Sequence, residues 1–265
     1  MVALVFLHCG LRKFSYICGL ISLNIMAAKT TYPHLVEPQD VDFTLRASIS
    51  NLIAKTLNVA GTDADSKGFG IRALKPENRS WVLSRMAIEI DRRPAEYTPY
   101  NITTWVSDYG RAMSTRNFVL DCEGEIFGRA TTQWSMIDFN TRRAVDLRYI
   151  AEHNDAVWNE EPPIERAGKL AAVEAEGTMT HRVAYSDIDF NRHTNSLRYF
   201  DLMLDCLPIE LHETDRPVRV DINFLNETRY GQELTVGYRH EGNRWEFEIS
   251  TDEGTVACRT TFEWK

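Results

Sequence analysis

Residues 186–195, Ser-Asp-Ile-Asp-Phe-Asn-Arg-His-Thr-Asn, concentrate titratable and amide side chains in one short stretch. In an extended segment, positions i, i+2 and i+4 share a side, so Asp189, Asn191 and His193 would converge while Phe190 and Arg192 face away. A carboxylate, an amide and an imidazole brought together can hold a carbonyl and manage a proton. A helical pattern starts directly afterwards, and the first free N–H groups of a helix make a region of positive potential. Thr194 and Asn195 would set such amides where a carbonyl developing oxyanion character is stabilised. A second carboxylate, Glu227, ends the next β-rich run, where a strand packed beneath the helix would meet the helix N-terminus. The competing reading is plain: Asp, Asn and Thr ahead of a helix are common N-caps, and a lone Glu227 is a solvated turn charge.

Other chemistries leave no trace. The sequence has no G-x-S-x-G elbow, no glycine-rich phosphate loop and no H-E-x-x-H. Asp187 and Asp189 beside one His fall short of a calcium or magnesium cage, so neither a metal nor a cofactor is expected. The five cysteines are scattered without C-x-x-C spacing and read as reduced thiols. A net charge of −8 argues against nucleic acid, whose phosphates want a basic surface. Residues 1–25 fit neither a signal peptide nor a membrane span, because His8, Arg12, Lys13 and Asn24 interrupt them. They read as an upstream start or dispensable extension ahead of Met26-Ala27-Ala28-Lys29. No plastid transit peptide is evident, no stable membrane insertion is expected, and a bacterial cytoplasmic location follows.

The elements that must position the polar cluster occur twice. Residues 48–60 place Ile49, Leu52, Ile53, Leu57 and Ala60 on one helical face, with Gly61 as the expected stop. Strand-like runs follow at 81–91, 100–107, 113–122 and 126–138. The second round has a helical pattern over 194–207, ended by Pro208, then strand-like runs at 219–226, 233–239, 244–250 and 256–264. The closing runs even match, Arg129-Ala130-Thr131-Thr132-Gln133-Trp134 against Arg259-Thr260-Thr261-Phe262-Glu263-Trp264. A helix followed by antiparallel strands must bury its apolar stripe on one sheet face. The expectation is an α+β tandem hotdog, two helix-on-sheet repeats forming one continuous sheet. Its parts are an N-terminal extension over 1–39, a first hotdog over 40–148, an exposed linker with a short helix over 149–176, and a second hotdog over 177–265 that carries the polar cluster.

Gly68-Phe69-Gly70, Trp81-Val82-Leu83-Ser84-Arg85-Met86, Thr104-Trp105-Val106-Ser107, the run 129–136 and Thr141-Arg142-Arg143, together with Asp187 to Asn195 and Tyr199, resemble in order the motifs of the acyl-acyl carrier protein thioesterases. The resemblance spans nearly all of residues 40–265. It implies a double-hotdog enzyme that releases free fatty acid from acyl carrier protein and so ends chain elongation. It assigns Asp189, Asn191, His193 and Glu227 as catalytic. Where the plant enzymes carry a cysteine after that glutamate, this chain has Thr228, so water activated by Glu227 or Asp189 replaces a covalent acyl-cysteine. Asp189 as nucleophile stays open.

The first copy lacks the Asp-x-Asn-x-His cluster, so one site per chain is expected, in the second, catalytic hotdog; the resemblance implies that the first supplies the acyl pocket, with Met86, Ile88 and Trp105 as candidate lining. An acidic carrier would dock on Arg111, Arg116, Arg142, Arg143 and Arg192. The duplicated chain would act as a monomer or homodimer. Rival readings are an acyl-CoA thioesterase, a hotdog hydratase or dehydratase, and a non-catalytic acyl-binding protein.

Overall fold

Val218, Val220 and Ile222 are buried while Arg219 and Asp221 between them are half-buried on the other side, the period-two pattern of a strand with one face on a core. Strands of this kind dominate the computed structural model, which describes residues 29–141, 143–148, 150 and 157–265. The first repeat comprises β1 (Thr30–Leu35), α1 (Ile49–Ser66), α2 (Ile71–Leu74), β2 (Arg79–Ile90), β3 (Pro99–Tyr109), β4 (Ser114–Cys122), β5 (Glu125–Asp138) and the short β6 (Arg143–Ala144). The second comprises β7 (Gly177–Arg182), α3 (Ser196–Leu204), α4 (Ile209–Glu213), β8 (Val218–Phe224), β9 (Glu233–Glu241), β10 (Arg244–Thr251) and β11 (Val256–Trp264).

These strands form one antiparallel sheet in the order β1-β3-β4-β5-β2-β8-β11-β10-β9-β7, with β6 added beside β5. Read from either outer edge, the two halves repeat the same order and meet at β2 and β8. There Met86 faces Ile222 and Ile88 faces Val220. Paired residues point to the same side, so the apolar sides of both halves make one surface beneath α1 and α3. That is the double hotdog expected from the sequence. On the opposite side Glu89, Arg219 and Asp221 form an ion-paired row, crossed by residues 157–176. Asn223 accepts a hydrogen bond from the Leu170 amide and donates to the Gly168 carbonyl.

Three expectations change. Residues 30–35, taken as part of an extension, form the outer strand β1 on β3; Pro33 and three outward residues hid it. Within the expected linker Ile150 is helical, residues 157–176 carry no helix and lie along the sheet, and 149 and 151–156 fall outside the described residues. Helix α1 does not stop at Gly61 but runs to Ser66. A glycine inside a helix costs only about 1 kcal/mol. The stop comes at Gly68, whose φ of +80° suits a residue without a Cβ.

Candidate active site

The segment ahead of α3 is a closed turn rather than an extended strand. The Asp189 amide donates to the His193 carbonyl at 2.8 Å, the Arg192 amide to the Asp189 carbonyl at 3.0 Å, and Arg192 takes φ +64°. The Asp189 carboxylate points into this turn and accepts the amides of Asn191 (2.8 Å) and His193 (3.2 Å). The expected side-by-side convergence of Asp189, Asn191 and His193 therefore does not occur. A short polar side chain that satisfies its own backbone wins over extension.

The turn brings His193 to Glu227 instead. Its Nε2 lies 3.3 Å from Glu227 Oε2, with His193 18% exposed and Glu227 45% exposed. A bridge between His193 and Arg229 and the Thr194 amide bonding the Thr228 carbonyl at 2.8 Å hold the two segments in register. Beneath the pair, the Thr228 hydroxyl meets Thr194 Oγ1 at 2.6 Å and the Tyr199 hydroxyl at 2.8 Å. Thr228 is fully buried. Burial raises the Tyr199 phenol to about 12, the largest of several effects, so it remains a protonated donor at neutral pH. Asp187 anchors the turn from behind. It accepts the Ala184 amide, His181 and Arg198, which together outweigh the burial that pushes its carboxyl up and hold it below the ordinary aspartate range.

The amides expected to face an oxyanion are both engaged. The Thr194 amide bonds Thr228, the Asn195 amide bonds the Asp187 carbonyl at 2.7 Å, and the Asn195 side chain caps α3 by accepting the Leu197 amide. The Asn191 side chain, by contrast, is exposed and has no hydrogen-bond partner among the described residues.

Next to the turn lies a cavity of about 280 Å³ in the first repeat. Ala60, Gly61 and Ala64 on the overrun of α1 form one wall, Trp81, Trp134 and Tyr109 belong to the strands, and Phe190 of the site turn completes it. Small residues on α1 leave the space, for a Cβ added at Gly61 would meet nothing within 4 Å. The antiparallel register of β2 and β8, which ends at Arg85 opposite Asn223, carries the chain beyond β8 toward the level where β2 begins. Glu227 thus comes to the end of the sheet that holds the cavity.

Residues 28–150 match the model of the acyl-ACP thioesterase N-terminal domain and residues 170–265 that of the C-terminal domain. The chain belongs to the acyl-ACP thioesterase family. A solved structure described as an acyl-ACP thioesterase from Bacteroides thetaiotaomicron is 33% identical, with a TM-score of 0.80 over 89% of this chain and 98% of that one. The 12:0-ACP thioesterase from Umbellularia californica, at 20% identity and a TM-score of 0.78 over 89% of this chain and 97% of that one, shares the fold. A chloroplastic acyl-[acyl-carrier-protein] hydrolase from Cuphea viscosissima is 30% identical over 159 residues, 56% of this chain and 38% of that protein. The chain spans about half the length, or less, of the first such relatives it matches, 38% and 48% for two from Cuphea viscosissima.

Within this family member, Met86, Ile88 and Trp105 are core residues and none lines the cavity. Met86 and Ile88 lie in the central core, and Trp105, paired opposite Asn117, faces the other side of the sheet under Lys29. Arg116 is no docking residue. It is 4% exposed and ion-paired with Asp63 at 2.6 Å. Burial pushes the Asp63 carboxyl up, but Arg116 and Lys67 prevail and hold it below its ordinary value. Arg111, Arg143 and Arg192 are exposed, and Arg142 lies outside the described residues. Among those residues no cluster of His, Cys, Asp or Glu could hold a metal ion. No helix among them is long and apolar enough to cross a membrane. Sequence reasoning missed Phe190 as a cavity residue, and the buried hydroxyl of Thr228. The only available signal was an aromatic residue inside a polar turn.

Proposed function

We propose that the chain hydrolyses the thioester of a fatty acyl chain carried by acyl carrier protein, with the chemistry at Glu227 and His193 and the acyl chain in the first-repeat cavity. The observation that carries this reading is the His193–Glu227 pair, open to water, beside an apolar cavity that shares Phe190 with the same turn. Glu227 takes a proton from water, and the hydroxide attacks the thioester carbonyl carbon. The C–S bond breaks and the departing sulfur receives the proton through the Glu227–His193 pair, so acyl thioester and water become free acid and thiol. The unpartnered amide of Asn191 steadies the carbonyl oxygen. Asp189 shapes the turn and Thr228, held in its hydroxyl network, is no nucleophile.

Replacing His193 by Ala tests this reading: kcat on a long-chain acyl thioester should fall by roughly 10²–10⁴, the usual worth of general acid–base catalysis, and near-normal turnover would reject it. The exposed Arg111, between β3 and β4, Arg143, on the short β6, and Arg192, in the site turn, would meet the acidic carrier.

A further inference from the structure

Deepening the thioesterase reading, on which it rests, we propose that the cavity accepts an acyl chain bearing a neutral oxygen, a hydroxyl or keto group, near its far end, bound by the Tyr109 hydroxyl and the Arg116 guanidinium. An ordinary alkyl tail asks only for apolar walls, and most of this cavity supplies them. Its outer wall differs. Tyr109 is 8% exposed, lines the cavity, and its hydroxyl has no hydrogen-bond partner among the described residues. A buried donor left unpaired costs about 1–3 kcal/mol, so an orphaned phenol in a cavity signals a missing partner.

Arg116, also lining the cavity, uses Nη1 on Asp63 and on Thr104 at 3.3 Å, while no described residue accepts a hydrogen bond from its Nε or Nη2. Both polar groups flank Phe69, whose ring centre lies 6.1 Å from that of Tyr109 and 5.9 Å from the guanidinium. Ser114, opposite Tyr109 in the β3–β4 register, adds a third hydroxyl to the same wall.

The placement fits the tail and not the head of the chain. Glu227 follows β8, and Tyr109 ends β3, four strands away in the order β8-β2-β5-β4-β3. At about 4.8 Å per step this is roughly 19 Å, the scale of an extended medium or long acyl chain. A tail carboxylate fits less well, because it would set a second negative charge beside Asp63.

The experiment compares saturated acyl thioesters with their (ω−1)-hydroxy counterparts across a series of lengths, for wild type and Tyr109→Phe, which removes one oxygen and no volume from the wall. At the best-fitting length, kcat/KM should favour the hydroxylated chain about tenfold in wild type, and Tyr109→Phe should bring that ratio near one. No preference at any length, as expected if water alone fills the spot, or a preference that survives Tyr109→Phe, would overturn the proposal. Quenching of Trp81 and Trp134 fluorescence by the free hydroxylated and plain acids reads the same preference without catalysis. A chain that hydrolyses neither thioester but binds the hydroxylated acid more tightly, in a Tyr109-dependent way, would reject the thioesterase reading and keep this one.

Discussion

The two repeats build the same turn ahead of their helices and fill it differently. In the first, the Asp42 amide donates to the Arg46 carbonyl at 3.0 Å, the Leu45 amide to the Asp42 carbonyl at 3.0 Å, and Leu45 takes φ +57°. The Asp42 carboxylate accepts the Thr44 amide at 2.9 Å. Bridges Arg46–Ala95 and His193–Arg229 are counterparts, as are the amide bonds from Ala47 to Pro94 and from Thr194 to Thr228. Asp42 therefore stands where Asp189 stands, Thr44 where Asn191, Arg46 where His193, and Arg93 where Glu227. An aspartate present in both turns belongs to their shape. On the proposed reading, the chemistry belongs to what only the second has: Asn191, His193 and Glu227. Arg93 instead locks the first turn, buried against Asp42 and bonded to the His212 carbonyl at 2.9 Å.

That contrast can be broken at its strongest point first. Arg93→Ala leaves Asp42 without its partner and should cost about 3–5 kcal/mol in stability, as expected for halving a buried ion pair, measured by urea unfolding; a loss below 1 kcal/mol would mean the lock is idle. Burial pushes the Asp42 carboxyl up, but Thr44 and Arg93 overcome it and hold it below its ordinary 3.8. A depressed carboxylate stabilises above its unfolded value and loses that contribution as pH falls through its folded value. The stability gap between wild type and Asp42→Asn should therefore be full above about pH 4 and close below it.

The shape-versus-chemistry division is sharpened at Asp189. Asn keeps an oxygen for the two turn amides, so Asp189→Asn should stay within a few-fold of wild-type kcat, whereas Asp189→Ala should lose roughly tenfold, the worth of about one hydrogen bond. Equal and complete loss in both would make Asp189 a chemical participant. A similar effect, confined to the first repeat, is expected from Gly61→Leu. It fills the cavity and should lower kcat/KM roughly tenfold for long chains more than for short ones; a uniform loss would place the acyl chain elsewhere. Smallest is the reversal of Arg111, Arg143 and Arg192 to Glu. KM for the carrier-bound substrate should rise several-fold at low salt while a small thioester is spared, and parallel losses would remove the dock.

Much of this was legible in the sequence, for physical reasons. Strands of 9–14 residues carrying β-branched and aromatic residues, such as β5 and β11, announced themselves, and the matching runs 129–134 and 259–264 gave away the duplication. The outer strands β1 and β7 did not, because each turns only alternate residues inward over six positions. The cavity was hidden by the glycine rule. Gly61 looked like a helix stop, yet the continuation through Ala64 to Ser66 forms the cavity wall that the shorter α3 has no length to copy. His193 and Glu227 were found as a pair from their places before a helix and after a strand. Residue type alone does not separate a carboxylate that shapes a turn, as Asp189 does through two amides, from one that handles a proton.

The division between the repeats rests most directly on Glu227. In Glu227→Gln, which keeps size and hydrogen bonding but removes the proton acceptor, kcat for a long-chain acyl thioester should fall by roughly 10²–10⁴ while the melting temperature stays within a degree or two of wild type. Turnover within a few-fold of wild type would contradict the account.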